Sequence, residues 1–145
     1  MHNGYALDYA RGYRKLFESA YGDDHVLFQR AGAPGCQAYA CQFGGDQPTT
    51  FPGMQQSLSG MISVSASGLP FWGVDACGYD GFSGGDAETY IRWTQWAAFC
   101  PLMRYHGTFP KEPWEYSEQV TETCIKFAYH LGCARTHSAV MAYRH

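Results

Sequence analysis

Four polar side chains stand where apolar runs end. Arg30 follows Val26-Leu27-Phe28, Asp46 follows the run from Gln37 to Phe43, Asp75 follows Leu69 to Val74, and His106 follows Phe99 to Met103. Two carboxyl groups, a guanidinium and an imidazole, in a chain that is 17% aromatic, suit a neutral polyhydroxylated ligand. Aromatic faces pack on the C–H faces of sugars, and charged side chains fork onto hydroxyls. Cleaving a glycosidic bond needs two flanking carboxyl groups: one protonates the leaving oxygen, and the other attacks or stabilises the sugar cation. Asp46 and Asp75 are the strand-end candidates. Aspartates in such places also cap helices or close Asx turns, and the residues alone leave that alternative open.

Other chemistries find little support. No G-x-G-x-x-G precedes a helix and there is no P-loop; the Gly81 to Gly85 loop has neither spacing, so no nucleotide cofactor is expected. Cysteines 36, 41, 77, 100, 124 and 133 form no C-x-x-C pair, and the six histidines form no H-x-x-x-H pair. No metal site is signalled. At this density a disulfide scaffold is not expected, and the thiols read as small buried hydrophobes.

The elements that must position these residues follow from periodicity. Residues 5–21 are predicted helical, with Tyr5, Tyr9, Tyr13, Leu16, Phe17 and Ala20 on one face, Asn3 as N-cap and Gly22 as stop. Val26 to Phe28 and Gln37 to Phe43 read as strands, with a loop over 31–36. A helix is expected over 53–66, its inner face formed by Met54, Leu58, Met61 and Ile62. A strand over 69–74 leads through the Gly-rich loop to a helix from Ala87 to Ala97 capped by Asp86. After a strand over 99–103, Pro113 is expected to open a last long helix whose face is Val120, Cys124, Phe127, Ala128 and Leu131. Apolar strands alternating with helices predict a parallel sheet covered on both faces. Polar residues at the C-terminal strand ends are where α/β barrels and open α/β sheets keep their active sites. Only four strands are legible, half of what a closed barrel needs.

Composition agrees with a piece of something larger. Of the 145 residues 46% are apolar and 16% charged, against about 25% charged in a typical soluble domain. The length fits one domain. With a net charge of −3 and no Lys/Arg run, a nucleic-acid partner is not expected. No apolar stretch reaches the roughly 20 residues of a membrane span, and the first residues show neither the basic nor the apolar region of a signal peptide.

From His2 to about Tyr129 the chain resembles the second half of the catalytic barrel of glycoside hydrolase family 31, which contains α-glucosidases and α-xylosidases. His2-Asn3-Gly4-Tyr5 resembles that family's H-N-x-Y, and Phe28-Gln29-Arg30-Ala31 its strand-end Arg segment. Phe43-Gly44-Gly45-Asp46 resembles W-x-G-D. Ser67 to Asp75 with Gly78-Tyr79 resembles S-G-x-P-x-x-x-x-D-x-x-G-F. Arg92-Trp93-Thr94-Gln95, Arg104-Tyr105-His106 and Lys111-Glu112-Pro113-Trp114 resemble R-W-x-Q, R-x-H and R-x-P-W. The resemblance implies a partial (β/α)8 TIM barrel, roughly strands 5–8 with their helices, filling residues 1–145. It implies part of a retaining α-glycosidase acting on α-glucosides or α-xylosides, with a glycoside or oligosaccharide as the bound partner. Asp46 takes the place of the general acid/base, Arg30 of the Arg that holds the sugar near the cleaved bond, and Asp75 and His106 of ligands to its hydroxyls. Phe43 and Tyr79 take the places of the subsite walls, usually Trp and Phe.

The chain also departs from the pattern. The family's nucleophile would lie upstream of Met1, so the isolated chain is expected to be inactive. Phe43 keeps a wall and loses an indole donor, Lys111 stands for an Arg, and the resemblance ends at Gly132. The alternative is a carbohydrate-binding or structural piece that catalyses nothing. Trp72, Trp93, Trp96 and Trp114 read as packing residues, and Arg92 and Arg104 as buried structural partners for carboxylates.

Overall fold

The computed structural model describes residues 2–80 and 86–129. The Gly81 to Gly85 loop, His130, Leu131, Cys133, His137 and the divergent stretch after Gly132 lie outside the described residues.

Four parallel strands form one sheet in chain order: β1 (Phe28–Gln29), β2 (Cys41–Phe43), β3 (Trp72–Ala76) and β4 (Leu102–Tyr105). Helix α1 (His2–Tyr21) precedes β1, α2 (Phe51–Ala66) joins β2 to β3, α3 (Ala87–Ala97) joins β3 to β4, and α4 (118–129) follows. Strand–helix–parallel strand units are the repeat of a (β/α)8 barrel, and these four strands are part of one.

Register decides which side chains share a face. Phe43 pairs with Gly73, Gly73 with Leu102, and Asp75 with Arg104. Because a strand alternates faces, Gly73 and Asp75 point to one side and Val74 and Ala76 to the other. Val74 and Ala76 pack with Tyr90, Trp93 and Ala97 of α3 and with Val120 and Cys124 of α4; Met54 and Met61 of α2 close the cluster. Among the described residues helices therefore cover this face only. The sequence predicts cover on both, whereas the opposite face carries half-buried Phe43 and Leu102 and an open cleft. In a closed barrel that face turns inward, toward the other strands.

Local signals set the element ends. Asp86 accepts from the Thr89 N–H at 2.7 Å, capping α3 as expected. That bond lowers the Asp86 pKa below its ordinary value. Thr50 accepts from Gly53 at 3.1 Å and Pro52 sits in the first turn, so α2 starts two residues earlier than periodicity predicts. Helix α1 already includes Asn3, which is therefore not its N-cap, and Gly22 at φ +60 stops it. Cys36–Ala38 form a 3-10 turn after left-handed Gly35, cutting the expected second strand to its last three residues. The first, third and fourth strands lie one to three residues later than predicted. Pro113 opens a 3-10 turn (Pro113–Glu115), and α4 begins after it.

Two predicted faces are different. The buried side of α1 is Ala6 and Ala10, while Tyr5, Tyr9, Tyr13 and Leu16 are exposed. On α2 Ile62 is exposed, and Gly53 and Ser57 are buried. Trp93 is fully buried and Trp72 and Trp96 pack on the core, but Trp114 is exposed. On α4 Val120 and Cys124 are buried, Phe127 is half-buried and Ala128 is exposed. Among the described residues Cys36, Cys77, Cys100 and Cys124 are buried and Cys41 is half-buried.

Candidate active site

Three strand-end loops meet over the C-terminal edge of the sheet and are tied together mainly through their backbones. After β3 the chain turns sharply: Cys77 and Gly78 both take left-handed φ, near +70°, and Gly78 donates to the Asp75 carbonyl at 3.1 Å. A Cβ at Gly78 would lie 2.8 Å from the Gln47 carbonyl oxygen, so the turn and the loop after β2 pack too closely for any side chain there. Tyr79 and Asp80 both donate to that Gln47 carbonyl, and Thr49 donates back to Asp80 at 2.7 Å. The loop bearing Asp46 is thereby zipped to the loop bearing Tyr79. Thr108, in the loop after β4, donates to the Tyr79 carbonyl at 3.0 Å.

Lys111 closes this arrangement from beneath. Its ammonium is buried and donates to Thr49 Oγ1 at 2.9 Å and to the Cys77 carbonyl at 3.3 Å. Burial pulls its pKa below the ordinary lysine value. The Tyr90 hydroxyl donates to the Lys111 carbonyl. Nearby, burial pushes the Cys77 thiol up, leaving it a small packed group rather than a nucleophile.

The loops frame an open cleft of about 360 Å³. Arg30, Phe43, Asp46, Tyr79 and His106 all line it, so five of the six sequence-derived candidates converge although they come from four strand ends. Arg30 Nη2 donates to Asp46 Oδ1 and Arg30 Nε reaches the Gly44 carbonyl at 3.5 Å. Tyr79 and His106 face each other with ring centroids 5.3 Å apart. The Phe28 ring meets Phe43 edge-on at 6.5 Å.

Asp75 is placed differently from the other five. It does not line the cleft, and its side chain is only 3% exposed. It sits below the cleft on Arg104, whose Nε lies 2.5 Å from Oδ1 and whose Nη2 lies 3.5 Å from Oδ2. Arg104 does line the cleft, and its guanidinium carbon stands 4.4 Å over the centre of the Phe43 ring. Arg104 is expected from the sequence as a buried carboxylate partner; the partner is present, but Arg104 is half exposed and belongs to the site. The missed signal is its position two residues before His106, the spacing at which an extended chain turns side chains to one side; both line the cleft, Arg104 from β4 and His106 from just beyond its end. Arg92, by contrast, is exposed on α3 beside Glu88 and Gln95.

The arrangement suits a neutral oxygen-rich ligand: it offers an exposed carboxyl, two guanidinium groups, an imidazole and aromatic walls in one cleft. Among the described residues no three His, Cys, Asp or Glu side chains gather as a metal site.

Residues 1–131 match the glycosyl hydrolases family 31 TIM-barrel domain. The chain belongs to glycosyl hydrolase family 31. It is 35% identical over 109 residues to an α-xylosidase of Saccharolobus solfataricus, a match covering 70% of this chain and 15% of that protein. It is 36% identical over 137 residues to glucoamylase 1 of Candida albicans, covering 90% of this chain and 14% of that one. Among solved structures it superposes on the cycloalternan-degrading enzyme from Trueperella pyogenes, in complex with covalent intermediate, with a TM-score of 0.85 and 28% identity, covering 98% of this chain and 21% of that one. The chain thus spans about a fifth or less of the length of these family 31 relatives.

Proposed function

We propose that residues 1–145 form the acid/base half of a retaining α-glycosidase active site acting on α-glucosides or α-xylosides. The observation that carries this reading is the convergence of Asp46, Arg30, His106, Phe43 and Tyr79 on one cleft at the strand ends of a family 31 barrel segment. In this reading the Asp46 carboxyl donates its proton to the glycosidic oxygen while a carboxylate elsewhere in the full-length protein attacks C1. The bond to the leaving group breaks as the ester forms. Asp46, now ionised, takes a proton from water; the water oxygen attacks C1 and releases the nucleophile.

Arg30 holds the sugar beside Asp46, to which it is already paired. His106 binds one sugar hydroxyl, Asp75, held under the cleft floor by Arg104, accepts from a second that reaches down to it, and Phe43 and Tyr79 form the walls. A covalent intermediate in the cycloalternan-degrading relative supports a two-step route. Because the attacking carboxylate is proposed to lie outside these residues, the isolated chain hydrolyses nothing. Turnover of an aryl α-glucoside by the purified chain above a mock preparation would contradict that.

The test of Asp46 uses the full-length protein and the quality of the leaving group. A fluoride leaves as a stable anion and needs no proton; a sugar alkoxide does. Asp46→Ala should therefore cost about 10²–10⁴-fold more with a natural disaccharide than with the glycosyl fluoride. Equal losses on both substrates would make Asp46 a binding or structural residue.

A further inference from the structure

We infer that Arg104 is a positioning residue for sugar recognition, acting through Asp75 and the Phe43 ring. This rests on the glycosidase reading above. Asp75 pairs with Arg104 across the β3–β4 ladder, and the carboxylate is almost wholly buried while Arg104 is half exposed toward the cleft. A buried carboxylate is tolerated when a counter-charge and good hydrogen-bond geometry meet it. Arg104 supplies both, with one nitrogen for each carboxylate oxygen. The nearby buried cation, Lys111, directs its ammonium instead to Thr49 and the Cys77 carbonyl.

The same guanidinium stacks on the Phe43 ring. That ring lies so close to Gly73 that a Cβ there would stand 2.5 Å from Phe43 Cδ2. Gly73 and Arg104 together therefore fix the ring. One planar group holds the hydroxyl ligand and the subsite wall at once, so moving it displaces both. A lysine keeps the charge but has neither the fork nor the plane.

The test is a double-mutant cycle in the full-length protein with Arg104→Met and Asp75→Asn, read as kcat and KM on an aryl α-glycoside. It is read also as Kd for α-D-glucose and α-D-xylose by calorimetry. Arg104→Met alone should lower kcat/KM about 10²-fold, the scale of a displaced positioning group, and weaken sugar binding. Arg104→Lys should recover part of that loss. In the Asp75→Asn background the cost of Arg104→Met should shrink severalfold, because its main target is already gone. Residues acting independently would multiply their losses to within about twofold, and that outcome overturns the inference while leaving the glycosidase reading intact. A full-length protein that neither binds these sugars nor turns over glycosides overturns both. If Arg104→Met does not fold, Arg104→Gln carries the same cycle, since it removes the charge and the fork but keeps a donor.

Discussion

The β3–α3–β4 unit and the α1–β1 end of the chain are built from similar apolar fractions to opposite effect. In the first, Val74, Ala76, Tyr90 and Trp93 interlock, the Trp93 indole donates to the Thr50 carbonyl at 3.2 Å, and Asp75 and Arg104 pair across the ladder. In the second, the strand is two residues long and the buried cluster is Ala6, Ala33 and Cys36. The tyrosines of α1 stack on one another along the helix surface, Tyr9 on Tyr13 at 4.6 Å, and stay exposed. The core is therefore anchored at β3 and β4. The cleft draws Arg104, seated on buried Asp75, from that rigid side and Arg30 from the thinner side. Sites held on well-packed strands keep their geometry better than sites on lightly packed ones.

Mutations can break or sharpen this contrast. The largest effect should come from Trp93→Ala, which removes a fully buried ring and leaves a cavity. It should lower the unfolding free energy by about 3–5 kcal/mol in a urea titration. A loss near zero would mean that the β3–α3 cluster is not the anchor. Next is Gly73→Ala, whose added methyl collides with the Phe43 ring and approaches Leu102. Overpacking of this kind costs about 1–3 kcal/mol, and because Phe43 is a proposed wall, KM should rise in the full-length protein too. An unchanged KM would separate the ring from sugar binding. The smallest effect belongs to α1. Leu16→Ala, at a largely exposed position, should change the unfolding free energy of the isolated chain by no more than about 0.5 kcal/mol. A larger loss there would show that the aromatic face of α1 is covered after all.

Much of this was legible in the residues. The Asp86 cap and the span of α3 followed from capping chemistry, and the strand-end positions of Arg30, Asp46 and His106 followed from where apolar runs stop. What failed has a common physical origin. The Tyr5–Tyr9–Tyr13 stripe showed which side of α1 is apolar, but periodicity does not say whether a partner covers that side. Gln37 and Ala38 looked strand-like, yet left-handed Gly35 closes a turn that takes them out of the sheet. Asp75 was expected at the cleft. Its burial depends on being level with Arg104 in the ladder, which only strand pairing decides. The same holds for Lys111, whose burial requires loops from β2, β3 and β4 to converge on one ammonium.

The role of Asp46 as acid/base of a retaining reaction is tested most directly by added azide. In full-length protein carrying Asp46→Ala, azide should enter the space left by the carboxylate and attack C1 of the glycosyl ester without needing a base. The nucleophile carboxylate leaves, and turnover of a glycosyl fluoride should rise. Two inversions at C1 leave the product as the α-glycosyl azide, identifiable by NMR. No rise in turnover and no glycosyl azide would contradict the role assigned to Asp46, and a β-glycosyl azide would contradict the retaining route.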